Sequence, residues 1–277
     1  MASASEVKIL NAGENSQVNV PSAVELSKKL QRLMLKIKGS FMSEEAHTVN
    51  YNALKESDLF KEYVEMTKAL TQVDLKSLER AEKIAFFLNI YNCLTIHGLA
   101  VYESGIPDSV LEITNFWKRT AYNIGGDKYS LDDIEHGILR GNRPHPSGGK
   151  PLFAEGEPRC QFIVSDVDPR IHFALVCGAK SCPAIRVFTG DNLERGLEAA
   201  ARSFCSQEVC IDNNEVTMSK IFLWYKQDFG STDKELLRWV FQYLPEEEQE
   251  KLNFLLGTPD IKVSYREYNW NLNGSKL

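Results

Sequence analysis

The first regular pattern in the chain is an amphipathic helix near its start. Ser22 and Glu25 stand three positions apart, the spacing of a capping box. The apolar positions that follow recur at helical spacing and are Leu26, Leu30, Leu33, Met34 and Ile37. Such a pattern predicts a helix with one buried face, and Gly39 is expected to end it.

The longest predicted element is a helix over residues 77–103. Ser77 is the expected cap and Gly105 the expected stop. The middle of the segment, residues 85–92, is apolar on nearly all sides, so the helix is expected at the centre of the fold. Asn89 and Asn92 are amides within this stretch. They must find hydrogen-bond partners, either to tie neighbouring loops to the helix or to hold a site in place.

Shorter elements follow from turn and capping signals. The predicted helices start at Ser57 and Ser130 and span 191–204, 233–243 and 246–256; the predicted hairpins are 122–129 and 209–218, and the predicted strands are 171–177 and 261–265. Residues 141–158 are rich in proline and glycine and are interpreted as a surface loop.

The order of these elements predicts an α+β fold. It has a central buried helix, several amphipathic helices and a small mixed or antiparallel sheet. Residues 1–20 are polar and small and are expected to be a flexible tail. Residues 21–277 are expected to form a single domain.

Composition excludes several classes of partner. The chain is 43% hydrophobic and 25% charged, as in globular proteins, and its net charge is −6. Its positive charges are spread among acids, so neither nucleic acid nor anionic membrane is an expected partner. The start of the chain lacks the pattern of a signal peptide, and the apolar stretch 84–94 is too short to cross a bilayer. A cytoplasmic location is expected.

The chain has six cysteines and no Cys-x-x-Cys motif. In a chain of this size without a signal peptide, thiols are expected rather than disulfides.

Four segments carry a family resemblance. They read KIAFFLNIYN at 83–92, SLDDIEHGILR at 130–140, IHFALVCGAKSCP at 171–183 and SKIFLWYKQDF at 219–229. In this order they resemble the family catalogued as domain of unknown function 547, over roughly residues 51–273. The resemblance implies no established reaction. The family usually ends in a Tyr-Asp-Trp-like segment, and this chain has Asn269 at the acidic position, which would remove any orienting role of that acid.

Cys182 is the leading candidate nucleophile. It follows a predicted strand and precedes Pro183, which is favoured at the first position of a helix. A helix starting there would place Cys182 at its N-terminus, where backbone N–H groups and the macrodipole stabilise a thiolate, and Lys180 would lower the thiol pKa further. The alternative is a buried, inert cysteine at a corner. For Cys177, core packing is expected.

A nucleophilic cysteine needs an oriented imidazole within reach, and two histidines qualify. His136 is favoured because Glu135 and Arg140 accompany it in one cluster, while His172 lies on the predicted strand that leads to Cys182. Asp228, beside Trp224 and Tyr225 in the fourth segment, is the candidate that orients the imidazole.

Asn89, Cys93 and His97 share one face of the long helix, and this stripe is expected to be structural. A zinc site from His172, Cys177 and Cys182, completed by His136, is a competing possibility. Its spacing is not a standard zinc pattern, so no metal and no cofactor are predicted.

The residues therefore predict a cysteine-dependent hydrolase or acyl/amide transferase acting on a peptide or small amide. Cys182 would attack a carbonyl, and Arg140, Arg186 or Lys180 would bind the substrate. Two alternatives stay open: a non-catalytic interaction domain, whose motifs serve core and scaffold, and a zinc-binding protein.

Overall fold

The computed structural model describes residues 6–14, 20–43, 48–102, 105–258, 261–272 and 274. The helices are α1 (Ala23–Ser40), α2 (Tyr51–Glu56), α3 (Asp58–Thr67), α4 (Arg80–Ala100), α5 (Phe116–Arg119), α6 (Leu193–Glu208), α7 (Lys220–Trp224), α8 (Lys226–Phe229), α9 (Asp233–Phe241) and α10 (Glu246–Leu256). The strands are β1 (Lys8–Ile9), β2 (Thr120–Ile124), β3 (Asp127–Ser130), β4 (Cys210–Asp212), β5 (Glu215–Ser219) and β6 (Lys262–Arg266).

The fold is α+β, as the pattern predicts. Within the described residues the strands form two small mixed sheets. The first has the order β1-β2-β3, with β1 parallel and β3 antiparallel to β2. The second has the order β4-β5-β6, with β4 antiparallel and β6 parallel to β5. Among the described helices, none is long and apolar enough to cross a membrane.

The central position predicted for the long helix is confirmed by α4, which is buried from Ile84 to Ala100. Phe86 and Phe87 are completely buried, and each side chain of this size contributes about 1.5–3 kcal/mol on burial. α4 is shorter than predicted. Ser77 closes a turn by donating to the Asp74 carbonyl, so the helix begins after it, and Glu103 lies outside the described residues.

The two amides of α4 bind backbone on two different loops. Asn89 donates to the Phe188 carbonyl at 2.8 Å and accepts from the Phe188 N–H at 2.9 Å. Asn92 donates to the Ala174 carbonyl and accepts from the Val176 N–H, both at 2.9 Å. Each amide thus pairs with backbone as a neighbouring strand would. These four bonds attach the segments on both sides of Cys182 to the most buried helix of the fold.

Asn89, Cys93 and His97 lie on one face of α4, but each side chain bonds to a different part of the fold. The Cys93 thiol donates to Gln31 at 3.0 Å, and His97 Nδ1 is bonded to the Tyr122 hydroxyl at 2.8 Å. Burial raises the pKa of Cys93 and lowers the pKa of His97 to about 3, so both are neutral core groups.

Both predicted hairpins form. Gly125 and Gly126, with φ of 60° and 96°, make the turn between β2 and β3, and Asn213, with φ of 50°, lies in the turn between β4 and β5. A two-residue hairpin turn needs positive φ, which glycine and asparagine adopt most readily.

The predicted tail contains ordered structure. β1 pairs with β2, and the fully buried Asn11 donates to the Thr67 and Asn123 carbonyls and accepts from the Asn123 N–H. A two-residue strand is too short to give a periodic signal. Residues 1–5 and 15–19 of this stretch lie outside the described residues.

Two predictions around Cys182 are wrong. The predicted strand over 171–177 is a 3₁₀ turn, Pro169–Phe173, followed by irregular backbone that bonds to Asn92 rather than to another strand. Pro183 does not begin a helix, because residues 183–189 have no regular structure. The helix predicted from Ser130 is a π-helix over Asp133–Leu139.

Replacing Asn89 by leucine should lower the stability of the fold. The change keeps approximate volume but leaves the buried carbonyl and N–H of Phe188 without partners, at a cost of about 1–3 kcal/mol. Thermal melting measures the effect, at roughly 2–4 °C per kcal/mol for a chain of this size. Asn253→Leu on the exposed face of α10 is the matched control and should melt close to the unsubstituted chain. Equal melting of the two variants would contradict the structural role of Asn89.

Candidate active site

A cleft of about 320 Å³ lies where the two hydrophobic clusters of the fold meet. Its walls carry six tyrosine and tryptophan residues: Tyr91, Trp117, Trp224, Tyr225, Tyr268 and Trp270. The same walls carry the ionisable groups Asp132, Glu135, His136, His145, His172, Cys177 and Cys182. Apolar walls with a few converging polar groups are typical of a small-molecule site.

Glu135 is a buried carboxylate held between two tyrosines. The hydroxyls of Tyr91 and Tyr225 donate to its two oxygens at 2.8 and 2.5 Å. Burial raises the pKa of Glu135, but the neighbouring His136 and the tyrosine hydrogen bonds outweigh it, so the net pKa is below the usual value. Glu135 therefore carries a fixed negative charge in the cleft wall.

His136 is neutral, and its proton position is fixed by a neighbour. Its Nδ1 lies 2.9 Å from Nη1 of Arg140. A guanidinium only donates, so Nδ1 accepts and the proton of the neutral ring stands on Nε2. Burial, together with Arg140, lowers the pKa of His136 to about 4. His136 is consequently a poor base at neutral pH, but its Nε2–H can donate.

His172 is bonded to the predicted orienting acid. Its Nε2 lies 2.9 Å from Asp228 Oδ2, and its ring stacks on Tyr225 at a centroid distance of 3.9 Å. Asp228 also accepts from Arg140 at 2.7 and 3.2 Å and from Arg143 at 2.7 Å. Burial of the Asp228 carboxyl is outweighed by these partners, so its pKa lies well below the usual range. The pKa of His172 is lowered by burial, against the opposing effect of Asp228.

The two cysteines of the third motif meet at the cleft wall. Their sulfur atoms are 2.9 Å apart, and the backbone N–H of Cys177 donates to the Cys182 sulfur at 3.1 Å. The Tyr268 hydroxyl lies 3.5 Å from the Cys177 sulfur and 3.6 Å from the Cys182 sulfur. The chain reverses between the cysteines at Gly178, whose φ is +88° and whose missing side chain would meet Leu99.

Two opposite pKa shifts distinguish these cysteines. Burial raises the pKa of Cys182, but hydrogen bonds from Cys177 and Tyr268 outweigh it and bring that pKa to about 7. The pKa of Cys177 is raised well above its usual value, first by its hydrogen bond to Cys182 and then by burial. At neutral pH, Cys182 is thus the thiolate of the pair and Cys177 the thiol. The source of this effect is local hydrogen bonding, not a helix N-terminus.

Backbone contacts join the C-terminal segment to the loop between Cys177 and Cys182. Lys180 N–H donates to the Asn271 carbonyl at 2.9 Å, and Ala179 bridges to Leu272. Asn269 is exposed; its N–H donates to the Ser181 hydroxyl, and its Oδ1 accepts from the Asn271 N–H. An aspartate would accept that bond equally well, so the asparagine at this position preserves the turn.

Of the predicted substrate-binding cations, Arg140 is buried, whereas Lys180 and Arg186 line recesses next to Cys182, one of which they share. Arg140 is buried and bonded to Asp228, His136 and the Pro144 carbonyl. Lys180 is exposed and lines a second recess of about 500 Å³, which also contains Lys38 and is bordered by Cys182. Arg186 lines a smaller recess of about 170 Å³ next to Cys182. Trp224 lies in the cleft wall, and its ring centroid is 5.5 Å from that of Trp270, with the two rings tilted.

The site contains several residues that were not predicted from the sequence. They are Tyr91, Asp132, Arg143, His145 and Tyr268. Burial and the neighbouring Glu135 raise the pKa of Asp132 to about 7, which makes it a second group able to exchange a proton near neutral pH. Tyr268 could have been inferred from its place in the C-terminal motif.

Within the part of the chain that the structure describes, the ligand atoms of the zinc set considered from sequence do not converge. Among the described residues, ligand atoms of Asp132, His136 and His145 lie within 4.8 Å of one another. His136 could ligate through Nε2 only by losing the proton that stands there while Nδ1 accepts from Arg140. The donor set therefore fits a metal poorly.

Asp228→Asn should destabilise the chain by about 3–5 kcal/mol, because it leaves Arg140 as a buried, uncompensated cation. The lowered pKa means that this contribution is complete at neutral pH and is lost only as pH falls below the usual range of aspartate. Chemical denaturation at pH 7 measures it. Asp166→Asn removes an exposed partner of Arg80 and is the control, with little change expected. A small effect at Asp228 would contradict the buried network.

Comparison with known proteins matches one part of the chain to a family model. Residues 75–205 match the family model described as "Protein of unknown function, DUF547". Neither the curated proteins nor the solved structures give a significant match to this chain. The matched segment contains the first three motifs, including Glu135, His136, His172 and both cysteines of the cleft, whereas Asp228 lies beyond it. The resemblance carried by those motifs is confirmed over this part of the chain: residues 75–205 match the DUF547 family model.

Proposed function

We propose that the chain is a cysteine-dependent hydrolase or acyl/amide transferase in which Cys182 attacks a carbonyl carbon. The observation that carries this proposal is the environment of the Cys182 sulfur. It borders an aromatic cleft, it accepts the Cys177 N–H at 3.1 Å, and it has a pKa of about 7. A substantial fraction is therefore the nucleophilic thiolate at neutral pH without a base in contact.

Proton transfer is assigned to the two imidazoles in different roles. His172 is the general base and acid, because its partner is the Asp228 carboxylate, which orients the ring and stabilises its charged form. His136 has a cation on Nδ1 and keeps its Nε2 proton, so it donates to the carbonyl oxygen as negative charge develops there. Arg140 positions both rings through its bonds to His136 and Asp228.

The proposed reaction has two halves. The Cys182 thiolate adds to the carbonyl carbon, and the tetrahedral intermediate collapses. The leaving amine or alcohol takes a proton that His172 relays from solvent. Water or a second nucleophile then attacks the thioester, with His172 as base, and the Cys182 thiolate leaves.

The surroundings suggest the substrate class. Trp224, Tyr268 and Trp270 favour an apolar or aromatic group in the cleft. Lys38 and Lys180 in the adjoining recess suit a carboxylate on the other side of the scissile bond. A small amide or short peptide with an acidic group fits this division. A cytoplasmic setting, proposed with this activity, would keep the six free cysteines reduced.

Thiol labelling tests the reactivity of Cys182. Iodoacetamide should alkylate it near pH 6.5 before the buried Cys93 and Cys205, and the rate should rise with pH through a midpoint near 7. Tyr268→Phe removes a hydrogen-bond donor to the thiolate, so it should raise that midpoint by up to about one unit. Mass mapping of labelled peptides measures both. Labelling of Cys182 only after denaturation would support the non-catalytic interaction domain.

Covalent acylation tests the chemistry. Incubation with p-nitrophenyl esters of short carboxylic acids should give a burst, an acyl group on the Cys182 peptide and continued turnover. Cys182→Ser should abolish the burst at that peptide, and His172→Gln should slow turnover by about 10²–10⁴-fold. Cys210→Ser removes an exposed thiol outside the cleft and is the control. Acylation without turnover in the unsubstituted chain would contradict catalysis.

A further inference from the structure

The sulfur pair in the cleft has a chemistry that acyl transfer does not use. Acyl transfer needs one thiolate, yet a second sulfur, that of Cys177, lies 2.9 Å from the first. A disulfide bond is about 2.05 Å long, so closure requires a movement of only about 1 Å. The other four cysteines are Cys93, Cys160, Cys205 and Cys210, and none of their sulfurs is bonded to another sulfur in the described structure.

The fold holds the two sulfurs together by separate anchors. On one side, Asn92 fixes the Val176 N–H immediately before Cys177. On the other side, the loop that leads to Cys182 is tied to the C-terminal segment through Lys180 and Asn271. The Cys182 N–H closes a tight turn onto the Ala179 carbonyl at 3.1 Å. Because the chain is already ordered here, closing the disulfide costs little further loop entropy.

The two cysteines also differ in access. Cys182 borders the aromatic cleft, the recess with Lys38 and Lys180, and the recess with Arg186. Cys177 lines the same cleft but neither of those two recesses. Cys182 can therefore be approached from more sides than Cys177, whose sulfur lies beside it in the cleft wall. This is the arrangement of an attacking and a resolving cysteine.

We propose that Cys177 and Cys182 form a dithiol–disulfide couple that reduces low-molecular-weight disulfides entering the cleft. The Cys182 thiolate attacks one sulfur of R–S–S–R, a bond forms between Cys182 and that sulfur, and R–S⁻ leaves and takes a proton from solvent. The Cys177 thiol then loses its proton and attacks the Cys182 sulfur. The second R–S⁻ leaves and takes up that proton. One disulfide is reduced to two thiols, and the protein dithiol is oxidised to one intrachain disulfide.

This exchange is independent of acyl transfer, because it requires two sulfurs and no imidazole. It also links the two chemistries, since oxidation removes the thiolate that would attack a carbonyl. The aromatic side chains of Trp224, Tyr268 and Trp270 favour a disulfide that carries aromatic or apolar groups.

The test uses the full, reduced chain and 5,5′-dithiobis(2-nitrobenzoate) as the disulfide, at pH 7. Release of thionitrobenzoate is followed by absorbance, and each cysteine is then assigned by peptide mass mapping. The expected result is rapid release of two equivalents from the pair, with an intrachain disulfide in the peptide and no nitrobenzoate adduct on Cys182. With Cys177→Ser, one equivalent should be released and the adduct should stay on Cys182.

The remaining variants make the outcome decisive. Cys182→Ser should remove the rapid phase, because the remaining Cys177 is a protonated thiol at pH 7, with a pKa that burial raises. Cys210→Ser should leave the rapid phase unchanged. A stable adduct on Cys182 in the unsubstituted chain, or no reaction of either sulfur before denaturation, would overturn the proposal. An intrachain disulfide with no acylation in the ester experiment would retain this couple and reject the proposed hydrolase.

Discussion

The carboxylate of Asp228 is completely enclosed, and the cleft depends on how its charge is compensated. Burying an ionised carboxylate is costly unless partners satisfy its oxygens. Here Arg140, Arg143 and His172 do so, and they come from parts of the chain 56 to 88 positions away. The same contact that neutralises Asp228 leaves Arg140 with one guanidinium nitrogen directed at His136. One buried charge thus fixes the proton positions of both imidazoles.

A second constraint acts on the cysteines. The amides of Asn89 and Asn92 take the place of a neighbouring strand for two loops that have no regular structure. These hydrogen bonds fix the position of the irregular segments next to Cys182, as the backbone bonds of a sheet fix a strand. The carboxylate network and the amide anchors are independent. The first orients the two imidazoles and the second holds the loop of the thiolate, and both sets of groups line the cleft.

The π-helix Asp133–Leu139 brings Glu135 and His136 into the same wall. Its wider turn changes the direction in which consecutive side chains point, and such segments occur frequently at functional sites. Glu135 then contacts the hydroxyls of Tyr91 and Tyr225, while His136 contacts Arg140. Acid–base groups and sulfur atoms therefore share one small volume. The proposed acyl transfer and the proposed disulfide exchange are two uses of the same thiolate.

The sequence by itself determined the α+β class, the central helix and both hairpins, because helical periodicity, capping and the φ of glycine and asparagine are local properties. It also selected Glu135, His136, His172, Cys182 and Asp228, since polar groups in apolar motifs need partners. Only the tertiary structure decided how they pair. The apolar run 171–177 is as compatible with a strand as with a 3₁₀ turn, and Asn92 of α4 binds the backbone of Ala174 and Val176 where a strand would have a neighbouring strand. Likewise, no local pattern could place Tyr268 or Cys177 beside Cys182, because the hydrogen bonds that lower its pKa come from backbone reversal and from a segment 86 residues away.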